Sequence, residues 1–173
     1  CFEMGGNYGD ISESQVAVAI NRAIDLGINC FDTAPIYGNG QSERMLGRAL
    51  GQRRKDVVVV SKCGIGYADR PKGRDGRMVS IMASVEQSLQ DLQTDYLDVL
   101  LVHWPDVNTP FEETMHALDS IVQQGKARAV GLSNFSLDQL KECEETRRID
   151  AVQHGLNMFD RRMETEMFPY FLK

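Results

Sequence analysis

Short apolar runs and amphipathic segments alternate along the whole chain. Strand-like runs begin near residues 28, 57, 97, 127 and 151, and helix-like segments lie between them. The run VVVVSK, residues 57–62, is continuous and β-branched, which is typical of a strand covered on both faces. This alternation indicates a parallel α/β sheet, and roughly 30 residues per βα unit is the spacing of a (β/α)8 TIM barrel. An open doubly wound sheet is the alternative, although GGNYGD, residues 5–10, lacks the register of its glycine-rich phosphate turn.

Capping residues mark the expected helix ends. Ser12 or Ser14 precedes an amphipathic segment that stops at Gly27, which predicts a helix with a serine N-cap. Ser136 and Gln139 have the spacing of a capping box. A further helix is predicted to bury one apolar face, formed by Ile81, Val85, Leu89 and Leu92.

The bulk composition narrows the class of protein. The 173 residues are 42% hydrophobic and 25% charged, with a formal net charge of −6. These values are typical of one globular domain and disfavour a nucleic-acid partner. No apolar run reaches the ~20 residues of a membrane span. The cysteines form no CxxC or CxxH pair, so we expect reduced thiols in a cytoplasmic protein and no metal site.

Three strand-like runs each end on a titratable residue. Asp32 follows INCF, Lys62 follows VVVVS and His103 follows VLLV. Taken singly, the Asp could cap the next element, the Lys could be solvated and the His could be a core residue. However, the carboxyl ends of barrel strands share one face, where active sites are found. Because a buried charge without a partner is costly, we expect Asp32 and Lys62 to pair there.

Tyr37, in the loop after Asp32, suggests what such a pair could do. A free phenol has a pKa of ~10, and a nearby ammonium lowers that pKa by stabilising the phenolate. Tyr37 beside Lys62 could therefore give a proton to a carbonyl oxygen, which a neutral His103 could also hydrogen-bond. Because no residue of the chain can donate a hydride, this chemistry predicts a nicotinamide cofactor.

Five segments together resemble the aldo-keto reductase family. FDTAPIYGNGQSE is similar to the segment that carries the family's catalytic Asp and Tyr, and VVVVSKCG is similar to the strand that carries its Lys. LDVLLVHWPD resembles the strand that carries its His. KARAVGLSNFS and VQHGLNMFDRR resemble the segments whose Ser, Asn and Gln hold the nicotinamide carboxamide. The resemblance spans nearly the whole chain.

The resemblance implies a fold, an activity and a set of site residues. It implies a (β/α)8 barrel that reversibly reduces aldehydes or ketones to alcohols, with NADP(H) as the preferred cofactor and NAD(H) as the alternative. Tyr37 would be the general acid in reduction. The implied catalytic residues are Asp32, Tyr37, Lys62 and His103. The implied cofactor contacts are Ser133, Asn134 and Gln153, and Phe2 and Trp104 are expected to line the substrate pocket, with core packing an equal alternative for Phe2.

The family normally has more chain at both ends. Cys1-Phe2 resembles the middle of the first barrel strand, and the last two βα units, roughly 60 residues, have no counterpart here. We therefore expect residues 1–173 to be a single barrel domain, truncated at both ends, with about six of the eight βα units. A barrel removes its sheet edges by closing. We expect this chain alone to be unstable, prone to aggregation or inactive.

Other functions stay open at this stage. The chain could be a cofactor-binding regulatory subunit with little turnover, or an inactive fragment. It could also be an aldolase that uses Lys62 as a Schiff-base nucleophile. The carbonyl substrate, the choice between NADPH and NADH, and the oligomeric state are not predicted.

Overall fold

The computed structural model describes residues 1–6, 12–66 and 73–172. The strands in these ranges are β1 (Cys30–Asp32), β2 (Val58–Cys63), β3 (Ile65–Gly66), β4 (Gly73–Arg74), β5 (Leu97–Val102), β6 (Ala127–Ser133) and β7 (Ala151–Gln153). The main sheet has the order β1-β2-β5-β6-β7, and every neighbouring pair is parallel. Strands β3 and β4 form a separate antiparallel pair. Strands that neighbour each other in this sheet follow each other along the chain, as in a barrel, whereas a doubly wound sheet reverses direction at a switch point.

Four helices connect successive strands of the main sheet, namely α2 (Gln41–Leu50), α3 (Met78–Leu92), α4 (Phe111–Gln123) and α5 (Leu137–Thr146). Helix α1 (Glu13–Asp25) precedes β1, and α6 (Arg162–Glu166) and α7 (Phe168–Phe171) follow β7. The two predicted serine caps are confirmed, because Ser12 and Ser136 each form a full capping box with the Gln three residues later. The part of the chain that is described thus has five βα units, preceded by α1, and its curled parallel sheet is an incomplete TIM barrel.

The hydrophobic core lies between the sheet and the helix layer. The predicted inner face of α3 is confirmed, since Ile81, Val85, Leu89 and Leu92 are all buried. Central strands β2 and β5 bury residues on both faces, which explains their continuous apolar sequence. None of the helices in the described ranges is both long and apolar enough to cross a bilayer.

The structure corrects the expected first strand. Phe2–Gly5 is a turn of 3-10 helix instead of the middle of a strand. This turn packs closely against the backbone of Gly38, since a Cβ on Gly5 would lie 2.5 Å from the Gly38 backbone nitrogen. The Cys1 ammonium also donates to the Asp32 carbonyl at 2.7 Å, which draws this segment across the end of β1. The rest of the GGNYGD stretch falls outside the described ranges.

Candidate active site

Lys62 is the centre of the candidate site. Its side chain is only 2% exposed, because β2 is a central strand and Lys62 points into the interior of the curled sheet. The ammonium Nζ donates to Asp32 Oδ1 at 2.7 Å and to the Thr33 carbonyl at 2.9 Å, and it lies 3.3 Å from Tyr37 Oη. The expected pair of Asp32 and Lys62 is present. The buried ammonium is therefore satisfied by three oxygen atoms, one of which is the phenol.

Tyr37 is fixed by aromatic rings on two sides. Its ring meets Phe2 edge-on, with centroids 5.0 Å apart, and it meets His103 edge-on at 5.9 Å. The following Gly38 has φ of 62°, a left-handed conformation that suits glycine, and its close approach to Gly5 leaves no room for a side chain. The turn therefore holds the phenol oxygen over Lys62 with little freedom to move.

His103 follows the last residue of β5 and stays neutral. Burial, and then the nearby Lys62 ammonium, lower its pKa from 6.5 to about 4, while the Asp32 carboxylate opposes this change. At neutral pH the imidazole therefore carries one N–H donor and one acceptor nitrogen. A neutral ring can donate a hydrogen bond to an oxygen and does not place a second positive charge beside the Lys62 ammonium.

The three predicted cofactor contacts lie at the carboxyl ends of β6 and β7. Asn134 adopts a left-handed backbone conformation with φ of 63°, and its Nδ2 donates to the His103 carbonyl at 2.9 Å and to Ser133 Oγ at 3.0 Å. Gln153 reaches across the sheet interior, and its Nε2 donates to Asp32 Oδ2 at 2.9 Å. Because β1 and β7 are the outer strands of the described sheet, this bond shows how strongly the sheet curls.

The two predicted substrate contacts have different positions. Phe2 touches Tyr37 and is 46% exposed, so it lies at the edge of the site. Trp104 stacks under the Arg74 guanidinium, 4.9 Å from the ring centroid, and it lines a groove with Asn134 and Ser136. The structure thus brings Phe2 to the predicted catalytic residue Tyr37 and places Trp104 beside the predicted cofactor contact Asn134.

Sequence reasoning missed two features of this site. The Thr33 carbonyl is a ligand of the Lys62 ammonium, but a backbone acceptor leaves no sequence signal. The bond between Gln153 and Asp32 was also not anticipated, because the family resemblance pointed only to a cofactor contact for Gln153. The order of the parallel strands predicts that these two residues lie at the same end of the sheet, but it does not predict that they are in contact.

Comparison with known proteins identifies relatives over nearly the whole chain. The model of the aldo/keto reductase family matches residues 2–173. The aldo-keto reductase YhdN of Bacillus subtilis (strain 168) is 37% identical over 168 residues, which cover 96% of this chain and 51% of the relative. The NADH-specific methylglyoxal reductase of Escherichia coli (strain K12) is 35% identical over 175 residues, covering 93% of this chain and 54% of the relative.

A solved structure gives the same result in three dimensions. The glycerol dehydrogenase AKR11B4 from Gluconobacter oxydans superposes with a TM-score of 0.89 at 35% identity, covering 98% of this chain and 54% of that one. The chain therefore spans about half the length of the relatives that it matches.

Proposed function

Because the chain belongs to the aldo/keto reductase family, we propose that it supplies the catalytic half of an oxidoreductase that reduces aldehydes or ketones to alcohols. The observation that carries this proposal is the contact of the buried Lys62 ammonium with both Asp32 and the Tyr37 phenol. A cation 3.3 Å from a phenol oxygen stabilises negative charge on that oxygen. Asp32 in turn holds the cation in place.

Tyr37 is the proton donor in this proposal. When a carbonyl oxygen gains negative charge during reduction, the Tyr37 O–H transfers its proton to that oxygen, and the phenolate that forms is stabilised by Lys62. The edge-on contacts with Phe2 and His103 orient the phenol before reaction. The neutral His103 donates its N–H to the same carbonyl oxygen and so orients the substrate.

The residues at the ends of β6 and β7 suit a nicotinamide cofactor. A carboxamide presents one acceptor and two donors, and a Ser hydroxyl with two side-chain amides offers the complementary groups. Ser133, Asn134 and Gln153 would hold it, and Gln153 keeps its Oε1 for this purpose because its Nε2 already bonds to Asp32. The bound cofactor supplies the hydride. We propose NADP(H) as the preferred cofactor, with NAD(H) tested beside it because one relative is named as NADH-specific.

We further propose that residues 1–173 are part of a single barrel domain, which a strand before α1 and two more βα units after β7 would close. The coverage of about half of each relative supports this proposal. So do the apolar side chains that lie exposed after β7, including Met158 at 86% and Phe159 at 97%. All four cysteines are free thiols, which supports our proposal of a cytoplasmic location.

Cofactor binding and turnover by the purified protein test the function. Trp104 is the only Trp of the chain, so quenching of its fluorescence by NADPH or NADH reports binding near Asn134. Turnover is followed as loss of reduced cofactor with a panel of aldehydes and ketones. We expect Tyr37→Phe and Lys62→Met to abolish turnover while quenching persists. Tyr96→Phe is the matched control, because it removes a phenol at the other end of the strands.

Other results would favour the alternatives. Saturable quenching by the wild-type protein without turnover on any carbonyl would favour a cofactor-binding regulatory subunit. Borohydride trapping of a carbonyl compound on Lys62 would favour an aldolase. A folded protein that neither binds a reduced cofactor nor turns over would contradict the proposal for this chain.

A further inference from the structure

The first turn of α2 contains two consecutive polar residues that are fully buried, Ser42 and Glu43. The hydroxyls of Ser42 and Thr33 form a hydrogen bond of 2.8 Å, and Glu43 Oε1 accepts from Ser61 Oγ at 2.6 Å. The backbone N–H of Ser42 also donates to the Tyr37 carbonyl at 3.2 Å. We call Ser42 and Glu43 the anchor pair.

The partners of the anchor pair are neighbours of the reacting groups. Thr33 directly follows Asp32, and Ser61 directly precedes Lys62. Because successive residues of a strand point to opposite faces, Ser61 faces the helix layer when Lys62 faces the interior of the sheet. One turn of helix therefore touches the three segments that carry Asp32, Tyr37 and Lys62, from behind the site.

The cluster around Glu43 also contains an unpaired atom. Glu43 Oε2 is buried without a hydrogen-bond partner. Buried polar groups in native proteins are almost always satisfied, by ordered water where protein partners are absent. Glu43 Oε2 is therefore suited to bond to an internal water molecule.

We propose that the anchor pair sets the distance between Tyr37, Lys62 and Asp32, with Glu43 acting as a positioning residue for Lys62 through Ser61. The proposal rests on the proposed reductase function. Positioning matters because a misplacement of about 1 Å at a catalytic group can cost about a hundredfold in rate. Ser42 fixes the loop of Tyr37 and the strand of Asp32, and Glu43 fixes the strand of Lys62.

The charge of Glu43 makes this role testable. Its pKa is raised to about 7, mainly by burial, while the nearby hydroxyls of Ser61 and Ser88 oppose the rise. The Asp91 carboxylate on α3 also favours the neutral acid, and the Arg44 guanidinium opposes it. Below that pH, Glu43 is a neutral acid that accepts from Ser61. Above it, the charged carboxylate accepts from Ser61 more strongly than the neutral acid does, so Ser61 is drawn closer to Glu43 and Lys62 moves with it.

Nuclear magnetic resonance of lysine labelled at 13Cε tests the proposal without turnover. The Lys62 signal is assigned by its loss in Lys62→Met and followed between pH 6 and 8. In the wild type, we expect the chemical shift of the Lys62 signal to change with a midpoint near pH 7. This change should be absent in Glu43→Gln, which keeps the acceptor for Ser61 but cannot ionise. His103 titrates far below this range. The Cys1 amino group, whose pKa is lowered by burial, is common to both proteins and cancels in the comparison.

Turnover provides the second measurement. We expect Ser61→Ala to lower kcat about tenfold or more while the Kd of the cofactor changes less than about twofold. Between pH 6 and 8, the kcat of Glu43→Gln should change less than the kcat of the wild type. The control Glu112→Gln removes an exposed carboxylate of α4 and should change neither measurement.

The two measurements separate the failure of the two proposals. A Lys62 signal with the same pH dependence in the wild type and Glu43→Gln overturns the positioning role, and so does a Ser61→Ala variant with wild-type kcat. A Lys62 signal that follows Glu43 in a protein without any turnover supports the positioning role and contradicts the reductase function.

Discussion

The buried carboxyl of Glu43 makes a quantitative prediction about stability and pH. Its pKa lies near 7 in the folded protein, above the ordinary value of 4.5 for a solvated Glu side chain, because burial disfavours the charged form. At about 1.4 kcal/mol per pH unit, this difference is worth about 3 to 4 kcal/mol. Between these two values the folded state holds a proton that the unfolded state has released. The contribution of Glu43 is therefore fully favourable below pH 4.5 and is lost as the pH rises through 7.

Urea unfolding at pH 5, 6, 7 and 8 measures this contribution. The variant Glu43→Gln has nearly the same shape but no charge, so its free energy of unfolding should lack the Glu43 component at every pH. We expect the difference between variant and wild type to grow by about 2 to 3 kcal/mol in favour of Gln from pH 5 to pH 8. The exposed control Glu112→Gln should show no such trend. Parallel pH profiles for wild type and Glu43→Gln would refute the reasoning.

Three further predictions concern other parts of the molecule. Asp98→Asn should lower the free energy of unfolding in urea by about 3 to 5 kcal/mol, because Asp98 is buried and pairs with Arg54 and Arg128, each at 2.9 Å; a loss below about 1 kcal/mol would contradict this. Gly47→Ala should also lower the free energy of unfolding in the same assay, since its Cβ would lie 2.5 Å from the Leu92 carbonyl oxygen. Helix preference alone would instead raise the free energy of unfolding by about 1 kcal/mol. The imidazole 15N signals of His103 should stay constant from pH 5.5 to 8, because its pKa is about 4; a midpoint near 6.5 would show that the ring is not desolvated. The contribution of His103 to the free energy of unfolding should therefore be lost only as the pH falls from 6.5 towards 4.

Patterns that depend on neighbouring residues were predictable from the sequence. The capping boxes at Ser12 and Ser136 and the buried face of α3 follow from spacing along a single helix. The pairing of Asp32 with Lys62 followed from the rule that the ends of parallel strands share one face. In each case, the spacing within one helix or one general property of parallel sheets was sufficient for the prediction.

Features that depend on contacts between distant segments were not predictable. The strand-like run that begins near residue 28 forms a strand only over Cys30–Asp32. Ile28 is 53% exposed, and a turn begins at Pro35. The first residues form a 3-10 turn in which Gly5 packs against Gly38, which lies 33 positions later in the sequence numbering. Glu43 looked like an ordinary acidic residue in the first turn of a helix, and its complete burial depends on the position of α3.

The hydrogen bond between Asp32 and Gln153 has a consequence for the order of folding. Its two residues are 121 positions apart, whereas each strand of the main sheet pairs with the strand next to it along the chain. Because closing a long loop costs more entropy than pairing neighbouring elements, we infer that the βα units form first and that this bond forms last. Pulse-labelled hydrogen exchange would contradict this order if the side-chain amide of Gln153, which donates to Asp32 Oδ2, were protected before the backbone amides of β2 and β5. In that order of events, a partly folded chain contains Lys62 before all of the surrounding side chains are in place. The complete arrangement of Asp32, Lys62 and Gln153 exists only in molecules in which β1 and β7 have already come together.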